Sequence, residues 1–146
     1  MFKATEKIVT WDEVNEGDDL PAHERDITAA LVVGGAISAT HDYAEVHHDY
    51  HAAKAAGADD VFMNILTTNG LIGKYLTDWS GPTGEIKKIS LNLAVPNYPG
   101  DHMVTTATIT KKYEENGQHL VEVEFIGKNK IGNHAAGKAV VALPRR

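Results

Sequence analysis

Cysteine is absent from the 146 residues, so disulfides, thiolate metal clusters and a cysteine nucleophile are all excluded. Long apolar runs are missing too. No stretch of about 18 apolar residues exists to cross a bilayer, and the opening MFKATEKIVTWDEV has no signal-peptide core. A cytoplasmic protein with no membrane contact is expected. Basic charge is in short supply: 14 Lys and Arg stand against 20 Asp and Glu, a formal net charge of −6. That balance argues against general nucleic-acid binding. No glycine-rich loop offers to cradle a nucleotide phosphate, so no cofactor is expected.

What remains is ordinary for a soluble domain, with 42% hydrophobic and 23% charged residues. The length suits one domain spanning residues 1–146. Residues 1–26 are polar and rich in turn formers (Gly17, Asp18, Pro21), which predicts an N-terminal arm. ITAALVVGGAIS predicts a short helix, with Thr28 or Asp26 as cap and Gly34-Gly35 weakening its end. DYHAAKAAG predicts another, capped by Asp49 and stopped by Gly57. VFMNILTTNGLIGKYLTDW leaves few polar positions, so a helix over about 64–78 should be buried on most sides, with Tyr75 and Trp79 in the core or lining a pocket.

Beyond SGPTG the period changes to two. IKKISLNLAV, HMVTTATITKKY, HLVEVEFIGKN and AGKAVVAL predict strands, joined by PNYPGD, EENGQ with its Asn-Gly hairpin signal, and NKIGN. Helices followed by a meander of antiparallel strands make an α+β domain. The apolar helix cannot lie on a surface, so the sheet should curl around it. That arrangement is the hot-dog fold.

Half of the chain's eight histidines fall between His41 and His51, in THDYAEVHHDYHAAKAAG, with Asp42 and Asp49 among them. This stretch resembles the hydratase motif of the MaoC-like (R)-specific enoyl-CoA hydratases. Their motif is an Asp, four residues, a His, five residues, then Ala or Ser, matched here by Asp42, His47 and Ala53. VFMNILTTNGL is similar to the start of that family's central helix, and VPNYPGD to one of its inter-strand loops. The chain departs at two places. It reads His41-Asp42-Tyr43-Ala44-Glu45 where the family has Gly-Asp-x-Asn-Pro, and Met63-Asn64-Ile65 where His-Gly-Met is common. Those variants resemble the catalytic subunit of steroid side-chain enoyl-CoA hydratases, which pairs with a second, catalytically incomplete hot-dog subunit.

The resemblance implies hydration of a trans-2-enoyl-CoA to the 3-hydroxyacyl-CoA, in fatty-acid or steroid side-chain β-oxidation, with Asp42 and His47 catalytic. It places the peptide N–H of Asn64 at the enolate oxygen, leaving that side chain dispensable, and puts Tyr43, Met63 and Ile65 beside the substrate. The chemistry agrees. A carboxylate and an imidazole sharing one water supply a base and a returning proton, and a helix N-terminus suits an oxyanion.

Other readings stay open. His47 and His51 are four apart and would share a helix face, with Asp42 or His41 completing a zinc or iron set; a capping Asp49 would place His47 outside that helix. The adjacent His48-Asp49 is also found in metal-dependent phosphohydrolases, which are almost wholly helical. A hot-dog acyl-CoA thioesterase usually draws its acid from the central helix, which here has no carboxylate before Asp78. A hot-dog partner subunit without activity would not need both Asp42 and His47. His41, His48 and His51 read as surface or supporting groups, Tyr43 and Tyr50 as packing residues, and Lys128, Lys130 and Arg145 as solvated or facing CoA phosphates. A lone hot-dog leaves a sheet edge and apolar surface uncovered, so a homodimer, or a heteromer with a second hot-dog subunit, is expected.

Overall fold

The structure is a computed structural model and describes residues 7–146; the first six residues of the expected arm lie outside the described residues. Among the described residues three α-helices, α1 (Ala29–Gly34), α2 (Tyr50–Ala55) and α3 (Ile65–Ser80), accompany one antiparallel sheet. Its strands are β1 (Asp19–Asp26), β2 (Glu85–Leu93), β3 (His102–Glu115), β4 (Gln118–Lys128) and β5 (Asn133–Ala142), in spatial order β1-β3-β4-β5-β2.

The arm therefore contains a strand that the sequence does not announce. Seven of its eight positions are exposed or half-buried and only Leu20 points firmly inward, so no apolar alternation marks it. Its hydrogen bonds come from β3, from Asp19 opposite Thr108 to Asp26 opposite His102, with a bulge between Leu20 and His23. The bulge absorbs Pro21, which has no N–H to give a ladder and is tolerated on an edge.

The inward alternation of β3 to β5 (Ala107, Ile109, Val121, Val123, Phe125, Ala139, Val141) packs on Ile72, Tyr75 and Leu76 of α3. Ile72 and Leu76 are fully buried, each contributing about 1.5–3 kcal/mol of transfer free energy. α3 is thus the helix around which the sheet curls, and the expected hot-dog arrangement is present. It runs two residues past the predicted end and stops at Gly81, whose φ of +78° a side chain would strain. Asn116-Gly117 does make the β3–β4 hairpin, both residues having positive φ as a type I′ turn requires. Thr28 caps α1 by accepting from the Leu31 N–H, and Asp49 caps α2 by accepting from the Ala52 N–H. No described helix is long and apolar enough to cross a membrane.

A second cluster of Ile27, Val32, Ala53, Val61, Met63 and Met103 fixes the segments around the histidine stretch. It places the α1 exit, the loop 40–49 and the start of α3 against one another. The candidate site lies where they meet.

Candidate active site

α1 does not stop at its glycine pair. The chain continues through one wider π-helical turn, Gly35–Ala39, because Gly35 lets Thr67 of α3 approach closely. A Cβ at Gly35 would lie 2.5 Å from Thr67 Oγ1. Thr40 then folds back, its hydroxyl donating to the carbonyls of Gly35 (2.9 Å) and Ala36 (3.0 Å). His41 takes a left-handed φ of +54°, which turns the chain sharply and leaves the Asp42 N–H donating to Ala36 O at 2.8 Å. A single 3₁₀ turn, Glu45–His47, brings the imidazole back toward Asp42.

The result is a close pair: His47 Nε2 lies 3.5 Å from Asp42 Oδ2. The other ring nitrogen, Nδ1, is 2.7 Å from Phe62 O. A carbonyl only accepts, so Nδ1 carries the proton, and the neutral ring presents a lone pair on Nε2. The Phe62 ring meets the imidazole edge-on, with centroids 4.9 Å apart, and His47 is 8% exposed. Two acceptors therefore face one another across a gap that a donor such as water can bridge.

Asp42 is held in its charged form. The Asn64 side chain donates to Oδ2 at 2.9 Å, the Ala44 N–H donates to Oδ1 at 3.1 Å, and the rings of His47 and His48 favour the anion to a smaller degree whenever they are protonated. Together they outweigh desolvation and keep the carboxyl below its ordinary range.

Asn64 does more than the sequence suggests, which corrects the expectation that its side chain is dispensable. It caps α3, its Oδ1 accepting from the Thr67 N–H at 2.9 Å. Its Nδ2 donates both to Thr40 Oγ1 (2.8 Å) and to Asp42 Oδ2. The side chain is 2% exposed with its donors and acceptor engaged. Its own peptide N–H has no acceptor among the described residues.

One layer deeper lies a group that sequence reading missed. His134 of β5 is 1% exposed. Its Nδ1 faces Val95 O at 2.7 Å and its Nε2 faces Thr68 Oγ1 at 2.8 Å, so the Thr68 hydroxyl donates to the ring. Thr68 N–H donates in turn to Asn64 O, tying the start of α3 to the last strand. In the sequence His134 sits in a turn-like NHAAG, with nothing to tell its burial.

Burial holds the His134 pKa below the ordinary 6.5, against smaller upward pulls from Val95 O and Asp101. The unfolded chain therefore takes up this proton more readily than the folded one. Stability is complete above the ordinary value and is lost as pH falls from 6.5 through the folded pKa. Thermal melts of wild type and His134→Gln should show a wild-type advantage at pH 8 that shrinks below about pH 6.5. A gap independent of pH would mean that another group titrates.

The remaining candidates fall into place unevenly. Tyr43 (63% exposed) and Tyr50 (51%) are surface residues, not the packing residues expected; each stands beside a loop or helix histidine rather than over a core. Ile65, 48% exposed, opens α3 next to Asn64. Met63 is buried in the second core cluster, and its N–H donates to Asn97 O. His41 and His51 are exposed, while His48 is half-buried with its Nδ1 unpaired among the described residues. Lys130 pairs with Asp101 and Arg145 with Asp12, so each reaches a carboxylate first. No three His, Asp or Glu side chains among the described residues come together as a metal would need. Asp78 of α3, far from the pair along the helix, is matched by Lys74.

No family model matches the chain. The beta subunit of 3-oxo-4,17-pregnadiene-20-carboxyl-CoA hydratase of Mycobacterium tuberculosis is 39% identical to it over 105 residues, covering 72% of this chain and 78% of the relative. A chain of the crystallised ChsH1-ChsH2 complex from Mycobacterium tuberculosis superimposes with a TM-score of 0.82 at 35% identity, over 88% of this chain and 98% of that one. The (R)-hydratase from A. caviae involved in PHA biosynthesis (TM-score 0.80, 19% identity, 90% of this chain and 98% of that one) shares the fold. So does a MaoC-like dehydratase from Rhodospirillum rubrum (TM-score 0.81, 18% identity, 94% and 98%).

Proposed function

The chain belongs to the MaoC-like enoyl-CoA hydratases, and from that premise we propose that Asp42 and His47 activate one water for addition to a trans-2-enoyl-CoA. The observation that carries this reading is the 3.5 Å approach of His47 Nε2 to Asp42 Oδ2, with the Nδ1 proton committed to Phe62 O. A water lodged there donates one hydrogen to each acceptor and keeps its lone pairs for the substrate.

The steps balance as follows. The water oxygen bonds to the β-carbon while its proton moves to His47 Nε2. The π electrons shift through the α-carbon to the thioester oxygen. The resulting imidazolium is stabilised by the Asp42 carboxylate, which its Asn64 and Ala44 donors keep ionised. The enolate oxygen sits at the start of α3, where the N–H groups of Asn64, Ile65 and Leu66 have no acceptor among the described residues, that of Thr67 being taken by Asn64 Oδ1. The proton on the pair then passes to the α-carbon, giving the 3-hydroxyacyl-CoA. No cofactor enters. Ile65 and Tyr43, exposed beside the pair, line the entrance of the acyl thioester.

The relative's substrate carries over as a class: a steroid side-chain enoyl-CoA with a 3-oxo group. A partner carries over as well. The chain pairs with a second hot-dog subunit, as two proteins do in the ChsH1-ChsH2 complex. Both edge strands, β1 and β2, are broken by bulges, which guards them against indiscriminate strand addition and leaves pairing to a fitted surface.

The test is hydration of crotonyl-CoA against a steroid enoyl-CoA, followed by loss of enoyl absorbance, with and without a co-expressed second subunit. Turnover on the steroid substrate exceeding that on crotonyl-CoA, and rising with the second subunit, is expected. No loss of enoyl absorbance from either substrate, in either form, would overturn the reading.

A further inference from the structure

Thr40 stands at the exit of the π-helical turn, against the start of α3, and no step of the proposed chemistry uses it. We propose that Thr40 is a positioning residue: its hydroxyl fixes the amide of Asn64 and, through that amide, the carboxylate that faces His47. This rests on the hydratase reading above and deepens it by naming what sets the geometry of the pair.

The polarity of the hydrogen bonds carries the inference. The Thr40 hydroxyl lies 2.9 Å from Gly35 O and 3.0 Å from Ala36 O. Carbonyl oxygens only accept, so the single hydroxyl proton is committed to them. Toward Asn64, 2.8 Å away, the same oxygen can then only accept. The end of the Asn64 amide that meets it must be the NH₂. The other end is chosen independently, because the Thr67 N–H needs an acceptor and finds Oδ1 at 2.9 Å. Both ends select one orientation. Of the two NH₂ hydrogens, Thr40 takes one, and the other is left for Asp42 Oδ2 at 2.9 Å.

The wider turn makes this possible. Gly35 O also accepts the Thr40 N–H at 3.1 Å, and Ala36 O accepts the Asp42 N–H at 2.8 Å. The turn that orients the Thr40 hydroxyl therefore places Asp42 as well, a local departure from α-helix of the kind often found at functional sites. Asn64 is only 2% exposed, too little for bulk water to replace a lost acceptor. Without the Thr40 hydroxyl, one buried amide hydrogen is unpaired and the amide plane is free to turn away from Asp42.

The donor from Asn64 is also the largest influence keeping the Asp42 carboxyl below its ordinary range, ahead of the Ala44 N–H. The titratable groups that face Asp42 are the rings of His47 and His48. Residues 35–40 and 64–68, the stretches packed beside it, hold none. A loosened Asn64 donor therefore raises the proton affinity of the pair, and the acid limb of the pH–rate profile moves to higher pH.

The experiment compares wild type with Thr40→Val and Thr40→Ser on the steroid enoyl-CoA, in the presence of the second subunit. Valine keeps the branched shape without the hydroxyl, and serine keeps the hydroxyl without the methyl. kcat of Thr40→Val should fall several-fold, up to about tenfold, with KM unchanged and the acid limb displaced upward; Thr40→Ser should restore both. Thr40→Ala carries the same expectation should valine crowd the Gly35 carbonyl and fail to fold. A hydroxyl that served stability alone would lower the melting temperature and leave kcat per folded enzyme and the acid limb unmoved. That outcome, or a serine variant as impaired as valine, would overturn the positioning role and leave the hydratase reading standing. Should wild type hydrate nothing, the hydratase reading falls, and the side-chain amide resonances of Asn64, identified by their absence from Asn64→Ala, decide the role of Thr40. Slow solvent exchange of both amide hydrogens at pH 7, lost in Thr40→Val and regained in Thr40→Ser, would keep it, and identical exchange in all three would remove it.

Discussion

Asp42→Asn should lower hydration turnover by at least ~10²-fold while leaving the chain folded. Asparagine keeps the shape but not the charge, and here it also meets a hydrogen-bond conflict. Both carboxylate oxygens of Asp42 accept: Oδ1 from the Ala44 N–H and Oδ2 from Asn64 Nδ2. An amide must turn its NH₂ toward one of those donors. It loses a tether whichever way it faces. His47→Ala removes the other half of the pair and should cost a similar factor. Because the two groups act on one water, the double variant should be little worse than either single one. Enoyl absorbance at saturating substrate reads the effect, and circular dichroism confirms the fold. Near wild-type turnover in both single variants would sink the assignment.

The second large effect is expected at Asn64, and the informative change is to aspartate. Aspartate is as good an N-cap as asparagine, so the contact to the Thr67 N–H and the helix start survive. What changes is the neighbour of Asp42. A donor 2.9 Å from Oδ2 becomes a second carboxylate, and two carboxylates at that spacing cannot both ionise. One takes up a proton near neutral pH, and the remaining negative charge is shared with position 64 instead of being held on Asp42 beside His47. Turnover at pH 7 should fall by about 10² or more with a melting temperature close to wild type. Asn64→Ala gives the contrasting pattern. It removes the cap, costing about 0.5–2 kcal/mol of stability, and frees Asp42 without opposing its charge. Its turnover should fall less than that of the aspartate variant. Asn64→Pro is no longer a clean probe of the peptide N–H, since it also deletes three side-chain hydrogen bonds. If Asn64→Asp retains full turnover, Asp42 does not work as an anion.

The contrast between what Asn64 was expected to do and what it does shows where sequence reading stops. The sheet and its central helix were legible because they are written in periods: alternation in residues 102–115 and 118–128, an apolar run in the sixties and seventies, an Asn-Gly turn between strands. β1 was not, because an edge strand with one inward residue has no period to read, and its partner β3 lies about 80 positions away. The Asp42–His47 pair is named through the motif it resembles, and the two side chains come within 3.5 Å because both lie on one short loop. The Asn64 contacts to Thr40 and Asp42 could not be read, being 24 and 22 positions distant and set by a π-helical turn that only the approach of Gly35 to Thr67 explains. His134, 66 positions from Thr68, belongs to the same class. Local chemistry shows in a sequence; long-range hydrogen bonds do not.

The position of β5 between β4 and β2 has a consequence for biosynthesis. β2 leaves the ribosome before β3 and β4, yet among the described residues its one neighbour in the sheet is the last strand. The nascent chain therefore holds β2 unpaired until residues 133–142 emerge, and the loop that closes is about 45 residues long. Asp42, His47 and Asn64 are all made in the first half of synthesis, but the buried ring of His134 that anchors their helix arrives nearly at the end. A message truncated just before β5 would encode every group proposed to be catalytic and yet lack the strand that closes the sheet on β2. What it would yield is a chain with the open flank of β4 and an orphaned β2, the sort of unpaired strand that chaperones retain and proteases clear.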